Sequence, residues 1–268
     1  MSYIGSTKDV RCPRSEELAY LNESMKLSTN IVDSALPRTA KPDVVFIHGT
    51  GSNSQMWSPQ VEALSRQGHK CFLIDLRGHG KTPEVFEPTN LEVHKADVLE
   101  TLEDLNINYP CIFIGHSLGA IISMELAQIK PDMFERVFAV GLPGRVFALV
   151  VVLFRIILRF PYEKLRGTSL HKMLPWRLYT LINTDRYTLT QIADNFQSLD
   201  YVSNPFNVKC PVHFSAGRFD PVAPFPYVKR MHQALPHSTL EIFELAGHNH
   251  MDQYPRRFNH WLSSSLTK

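Results

Sequence analysis

Short apolar runs typical of buried strands alternate with stretches of helical periodicity along most of this chain. The runs predict strands at Val44–His48, Cys71–Asp75, Cys111–Ile114, Val137–Leu142, Val212–Ala216 and Leu240–Leu245. Helical spacing of apolar residues predicts helices over 54–67, 89–105, 118–129, 226–234 and 256–264. Repeated strand–helix units imply an α/β fold, with a mostly parallel central sheet flanked by helices.

The alternation is interrupted between residues 144 and 206 and then resumes. We therefore predict a core formed by residues 1–143 and 207–268, with residues 144–206 inserted as a helical lid (cap) over one end of the sheet. Before residue 42 the chain is polar. Tyr20-Leu21 and Leu27–Val32 predict an edge hairpin in that region.

Composition excludes several classes of protein. Among 268 residues, 28 Lys and Arg balance 26 Asp and Glu, and no nucleic-acid-binding motif is visible, so no nucleic acid partner is expected. The cysteines show no CxxC spacing, which leaves zinc and redox sites unsupported. The first 25 residues are charged and lack the apolar core of a secretory signal, so a cytoplasmic setting is expected. The sequence predicts neither a metal nor a cofactor.

The segment Gly115-His116-Ser117-Leu118-Gly119 fits the pattern G-x-S-x-G between a predicted strand and a predicted helix. Two glycines permit a tight strand-to-helix turn that exposes a strained Ser117 at the edge of the sheet. The alternative interpretation is a serine that caps a helix. The position between strand and helix favours Ser117 as a nucleophile.

A serine nucleophile needs a base and a third group that orients the base. His248 follows the last predicted strand, and Asp220 follows the strand before it. Both therefore lie at the same sheet edge as Ser117, and the chain order Ser, Asp, His is the one expected of this type of elbow. We predict a catalytic triad of Ser117, Asp220 and His248.

The loop His48-Gly49-Thr50-Gly51 follows the first clear strand. Acyl transfer requires hydrogen-bond donors for the oxyanion, and the backbone N–H groups of Leu118 and Thr50 are the predicted donors. Gly49 and Gly51 are the alternatives to Thr50 in this loop.

With these segments the chain resembles the α/β-hydrolase superfamily, in its lipase/esterase-like branch with a lid insertion. The resemblance covers about residues 42–143 and 207–265. It extends to Trp57, to the turn Asp75–Thr82 and to a closing helix with Pro255, Phe258 and Trp261. It implies structural roles for Asp75, Arg77 and His79, and supporting roles for His116 and His250.

The inserted segment begins with a very apolar stretch, Arg145–Phe160, that is too short to span a membrane. On a helix, Arg145, Arg155 and Arg159 would fall within an arc of about 80°. Residues 144–187 contain eight basic and two acidic residues. Two interpretations remain open: a helix packed over an acyl pocket, or peripheral contact with a membrane surface.

Both interpretations favour a lipophilic substrate. The sequence therefore predicts a serine hydrolase that cleaves a carboxylic ester of a small-molecule or lipid acyl substrate through an acyl-enzyme intermediate. A thioesterase, an acyltransferase or a C–C bond hydrolase with the same triad are the alternatives. A ligand receptor with slow turnover on this fold is a further alternative from a different class.

Overall fold

A seven-stranded sheet forms the centre of the part of the chain that the computed structural model describes, residues 24–37, 41–83 and 88–267. Its strands follow the order β1-β3-β2-β4-β5-β6-β7, with β1 antiparallel to β3 and every other pair parallel. The predicted mostly parallel sheet is confirmed. The strands are β1 (Thr29–Val32), β2 (Val44–Ile47), β3 (Cys71–Ile74), β4 (Cys111–His116), β5 (Phe134–Val140), β6 (Val212–Gly217) and β7 (Ser238–Phe243).

Helices follow the strands at the predicted places. They are α1 (Ser58–Ser65), α2 (Leu91–Glu103), α3 (Leu118–Ile129), α4 (Ala148–Arg159), α5 (Ser169–Met173), α6 (Trp176–Asn183), α7 (Arg186–Asn195), α8 (Phe225–Ala234), α9 (His250–Gln253) and α10 (Pro255–Leu266). The helix predicted over 54–67 is divided. It starts as a 3₁₀ turn, Ser54–Trp57, and continues as α1, which carries Pro59 in its first turn, where a missing N–H costs nothing.

Two apolar cores cover the two faces of the sheet. On one face, Val45 and Ile47 of β2 pack with residues of α2, α3 and α8, such as Val98 and Val228. On the other face, Val44 and Phe46 of β2 pack with residues of α1 and α10. The alternation of side chains along β2 thus supplies both cores, as expected of a doubly covered parallel sheet.

The edge strand predicted within Leu27–Val32 is present as β1, where Thr29 pairs with Ile74 and Val32 pairs with Cys71. Its predicted hairpin partner, Tyr20-Leu21, lies outside the described residues. The carboxyl ends of β2 and β4 are neighbours, and the chain leaves them toward opposite sides of the sheet. Open α/β sheets bind ligands in the crevice at such a switch point.

The inserted segment, residues 144–206, contains helices α4 to α7 and a small apolar cluster of its own around Leu158, Ile182 and Leu189. We call it the helical insertion; its action as a lid remains a prediction.

One expectation about the helical insertion was wrong. Arg145 does not share a helix face with Arg155 and Arg159, because Phe147 is extended and α4 begins at Ala148. Arg145 instead forms an ion pair with Asp200, and Arg155 forms one with Asp194. Sequence periodicity could not show these pairs, since each acid lies about forty residues or more further along the chain.

Candidate active site

Ser117 occupies the sharp turn between β4 and α3. Its φ of 52° and ψ of −113° make it the sole non-glycine residue with positive φ in the described ranges. A backbone held in this sparsely populated region is characteristic of functional sites. The turn places Ser117 at the carboxyl edge of the sheet, in the wall of a cavity.

The two glycines of the motif are required by close approach of the backbone. A Cβ atom at Gly115 would collide with the carbonyl of Gly119, and one at Gly119 would collide with the carbonyl of Ile47. A side chain at either position would push α3 away from β2 and β4. The glycines therefore bring Ser117 and the loop after β2 together, and a Cβ at Gly49 would lie 3.1 Å from Cβ of Ser117.

Asp220 and His248 form a hydrogen-bonded pair beside this turn. His248 Nδ1 donates to Asp220 Oδ2 at 2.7 Å. The other oxygen of Asp220 accepts the backbone N–H groups of Val222 and Ala223, each at 2.8 Å. His248 lines the same cavity as Ser117, and because Asp220 uses its Nδ1, Nε2 is the remaining ring nitrogen.

Asp220 is a buried carboxylate that stays ionised. Burial by itself raises the pKa of Asp220, but attraction to His248 and the hydrogen bonds from His248, Ala223 and Val222 outweigh it and lower the pKa below its usual value. A negative Asp220 stabilises positive charge on the imidazole of His248, as a base that accepts a proton from serine requires.

The loop after β2 contributes Thr50 and Gly51 to the cavity wall. The N–H of Gly51 donates to His79 Nε2 at 3.0 Å, so this donor is already used. That observation removes Gly51 from the candidate oxyanion donors. Leu118 is the first residue of α3, and its N–H belongs to the helix start, where no intrahelical acceptor exists. Thr50 and Leu118 stay the predicted donors, with Gly49 as the remaining alternative to Thr50.

Two buried histidines hold this loop in place. His48 Nδ1 donates to the carbonyl of Gly49 at 2.8 Å, and its Nε2 accepts the N–H of Leu76 at 2.9 Å. His79 Nδ1 donates to the carbonyl of Arg77 at 2.8 Å, which leaves Nε2 to accept from Gly51. Burial lowers the pKa of both imidazoles, so both are neutral at pH 7. His79 thus has the structural position that the sequence predicted for it.

His116 and His250 are buried near His248 and form hydrogen bonds of their own. His116 Nε2 lies 3.2 Å from the backbone carbonyl of His248, and burial lowers its pKa well below the usual value. His250 Nε2 bonds to the hydroxyl of Ser215 at 2.9 Å. Both contacts agree with supporting roles.

The cavity has a volume of about 290 Å³ and is mostly apolar. Ser117 and His248 line it together with Val150, Val151 and Phe154 of α4. Its volume is close to the lower end of the range for ligand pockets, about 300 Å³. Such a cavity suits an acyl chain of moderate length.

Sequence reasoning missed Arg177 of α6, which also lines the cavity. Its guanidinium pairs with Asp252 at 2.6 Å and donates to the Ser52 hydroxyl at 3.0 Å. Arg177 thereby ties the helical insertion to the loop after β2. No sequence pattern signals this contact, because Arg177 and Ser52 are 125 positions apart.

Comparison with known proteins agrees with this geometry. A sequence model of the Alpha/beta hydrolase family matches residues 44–261, so the chain belongs to the α/β hydrolase family. The sn-1-specific diacylglycerol lipase ABHD11 of Mus musculus is 25% identical over 235 residues, which are 84% of this chain and 70% of that protein.

Two further similarities support the same class. The (E)-2-((N-methylformamido)methylene)succinate hydrolase of Acinetobacter baylyi is 23% identical over 242 residues, covering 85% of this chain and 91% of the relative. The esterase EaEST from Exiguobacterium antarcticum superposes with a TM-score of 0.77 at 19% identity, over 90% of this chain and 96% of the esterase. The structural match shows a shared fold, and the named relatives support hydrolase activity.

Proposed function

We propose that this hydrolase is a serine esterase that cleaves carboxylic esters with a lipophilic acyl group. The observation that carries the proposal is the presence of Ser117, on its strained turn, in one apolar cavity with His248, which is hydrogen-bonded to Asp220. A nucleophile, an oriented base and an apolar binding surface are what acyl transfer from a lipophilic ester needs.

In the proposed reaction, Ser117 Oγ attacks the ester carbonyl while His248 Nε2 accepts the hydroxyl proton. The N–H groups of Thr50 and Leu118 stabilise the oxyanion of the tetrahedral intermediate. His248 then protonates the leaving alcohol, and an acyl-enzyme remains on Ser117. Water, deprotonated by His248, attacks the acyl-enzyme; His248 then returns the proton to Ser117 Oγ as the carboxylic acid is released.

The wall formed by Val150, Val151 and Phe154 would hold the acyl chain. Each buried methylene contributes about 0.8 kcal/mol, which is roughly fourfold in kcat/KM. We expect kcat/KM for p-nitrophenyl esters to rise from acetate through butyrate to octanoate, and to fall for palmitate, which exceeds a cavity of about 290 Å³. A preference for acetate would contradict an acyl site beneath α4.

Covalent labelling tests the nucleophile directly. A fluorophosphonate probe should label the protein at Ser117, and Ser117→Ala should abolish both labelling and ester hydrolysis while the circular dichroism spectrum is retained. Ser123→Ala is the matched control, because Ser123 lies in α3, just after the turn, and donates to the carbonyl of Gly119, outside the cavity wall. Labelling of Ser117→Ala at another serine would refute the assignment.

Additional substrates distinguish the esterase from the alternative activities. Faster turnover of the octanoyl thioester than of the octanoyl ester would indicate a thioesterase. Octanoyl transfer to an added alcohol in preference to water would indicate an acyltransferase. Tight binding of the esters with a single slow turnover would favour a receptor over an esterase.

A further inference from the structure

Helix α4 has apolar side chains on two opposite sides, and its two charged residues, Arg155 and Arg159, lie between them. Val150, Val151 and Phe154 line the catalytic cavity. The opposite side is exposed to solvent, with 67% of Leu149, 51% of Leu153 and 54% of Ile156 accessible. A surface helix of a globular protein normally turns an apolar face to the core and a polar face to solvent. The outer face of α4 therefore lacks a covering layer within the described part of the chain.

The exposed apolar residues of α4 form a continuous stripe. Val152, Ile157 and Phe160 join Leu149, Leu153 and Ile156 at helical spacing, so the six side chains form one stripe. Met173, Trp176 and Leu178 of α5 and α6 are exposed as well, and Leu178 also lines the cavity. We call these nine side chains the apolar face. Scattered single apolar residues on a surface are ordinary, whereas a concentration of this kind marks an interaction site.

The charges beside the apolar face are basic. Residues 147–178 contain six Lys and Arg and one acidic residue. Arg155 and Arg177 are ion-paired with acids elsewhere in the chain. Arg159, Lys164 and Lys172 are exposed and have no ion-pair partner within the described ranges. These three cations are available to an external anion.

We propose that the apolar face docks on the surface of an anionic lipid bilayer. Acyl chains accept the apolar side chains, anionic headgroups attract Arg159, Lys164 and Lys172, and Trp176 suits the interfacial layer. A second copy of the chain fits less well, because a twofold contact would bring like charges together. None of the helices in the described ranges has the length and hydrophobicity needed to cross a bilayer, so the contact is peripheral.

The experiment measures binding of the full-length chain to vesicles, with Ser117→Ala as the background so that hydrolysis does not alter the lipid. The vesicles contain phosphatidylcholine with or without phosphatidylserine, at low and at physiological ionic strength. Binding measured in this background does not depend on whether the protein is an esterase, so the two proposals can fail separately.

Two groups of substitutions test the two components of the contact. Arg159→Gln, Lys164→Gln and Lys172→Gln together should weaken binding to anionic vesicles about a hundredfold, since each cation contributes roughly fivefold. Lys41→Gln, Lys130→Gln and Lys209→Gln together remove the same charge from exposed positions near the amino ends of the strands. This control should retain most of the affinity, because screening weakens attraction beyond about 8 Å at physiological ionic strength.

Leu149→Gln, Leu153→Gln and Ile156→Gln together should also weaken binding about a hundredfold, while the melting temperature stays near that of the parent, because the three side chains are half exposed or more. Emission of Trp176 should shift to shorter wavelength on vesicle binding, and Trp176→Phe should remove that shift. The buried Trp57 serves as the internal reference.

Three results would overturn the proposal. The first is failure of the parent to co-sediment with anionic vesicles at low salt. The second is an equal loss of vesicle affinity in the two triple variants, the one at Arg159, Lys164 and Lys172 and the control at Lys41, Lys130 and Lys209. The third is concentration-dependent dimerisation that the glutamine substitutions at Leu149, Leu153 and Ile156 abolish, which would assign the apolar face to a second copy of the chain.

Discussion

Ser215 and His250 are joined in the buried core by a hydrogen bond of 2.9 Å between Oγ and Nε2. Burial, with repulsion from His248 as the next cause, lowers the pKa of His250 to about 4. His250 is therefore neutral at pH 7, and its Nε2 is hydrogen-bonded to Ser215, which is not the proposed nucleophile. Of the two histidines in the segment Gly247–His250, His248 lines the cavity and His250 is bonded within the core.

The first prediction compares these two histidines. His248→Ala should lower kcat for butyrate ester by about 10⁴-fold or more, because the proposed base is lost. His250→Ala should retain most of kcat but lower the melting temperature, because it leaves a cavity and an unpaired Ser215 hydroxyl. Steady-state kinetics and thermal unfolding of both variants check this. A larger loss of kcat in His250→Ala than in His248→Ala would mean that His250 is the base.

The second prediction concerns the orientation of His248. In Asp220→Asn, the amide oxygen can still accept from Val222 and Ala223, so the amide nitrogen faces His248 Nδ1. An N–H donor there favours the wrong imidazole tautomer, and the equivalent change in a serine protease lowers kcat about 10⁴-fold. We expect a loss of similar size with KM nearly unchanged, because Asp220 does not line the cavity. A variant with less than tenfold loss would remove Asp220 from the triad.

The third prediction concerns stability against pH. Burial lowers the pKa of His94 to about 3, and neither ring nitrogen has a hydrogen-bond partner among the described residues. Between the unfolded value of 6.5 and about 3, the unfolded chain binds the proton and the folded chain does not. The contribution of His94 to the free energy of unfolding is therefore fully present above pH 6.5. It is lost as pH falls below 6.5, by up to about 1.4 kcal/mol per pH unit.

His94→Leu should remove this contribution. Between pH 7 and pH 5, we expect the free energy of unfolding of the variant, measured in urea, to fall by about 2 kcal/mol less than that of the parent. At pH 7 the variant should be at least as stable as the parent, because an unpaired polar ring is replaced by an apolar side chain. His260→Leu, at an exposed position, is the control. An unchanged acid sensitivity in His94→Leu would show that His94 is protonated in the folded protein.

The fourth prediction concerns a buried ion pair. Arg77 donates through Nε and Nη2 to the two oxygens of Asp97, at 2.8 and 2.7 Å, and both side chains are almost fully buried. Arg77→Leu should lower the free energy of unfolding by about 3–5 kcal/mol, because Asp97 is left as an uncompensated buried charge.

The double variant Arg77→Leu, Asp97→Leu should recover a large part of that loss, since no lone charge remains. Arg66→Leu is the comparison at the surface, where Arg66 pairs with Glu62 at 72% and 63% side-chain exposure. Its effect should stay below about 1 kcal/mol. Equal effects at the two positions in urea unfolding would contradict the importance of burial.

The sequence predicts those features of the fold that are determined locally. The run Cys111–Ile114 and the glycines at 115 and 119 specify a strand, a tight turn and a helix within a few residues, and the structure has all three. The parallel sheet follows from repetition of that unit. The placement of Asp220 beside His248 was also predictable, because each follows its strand at the same edge of the sheet.

Contacts between distant segments could not be predicted. The ion pair of Arg177 with Asp252 joins the helical insertion to the core, and neither residue lies in a recognisable motif. The use of the Gly51 N–H by His79 likewise depends on how two loops meet. Periodicity over 145–160 indicated an apolar helix correctly, but it could not show that the helix starts only at Ala148.

The single layer formed by α4 has a consequence for kinetics. One helix, about 10 Å across, lies between the cavity lined by Ser117 and the exposed apolar stripe of α4. If the apolar face rests on a bilayer, enzyme and lipid ester meet by lateral diffusion in two dimensions. The rate would then follow the mole fraction of ester within the vesicle and not its total concentration in the sample. Adding inert phosphatidylcholine at constant total ester would slow the enzyme without any inhibitor being present.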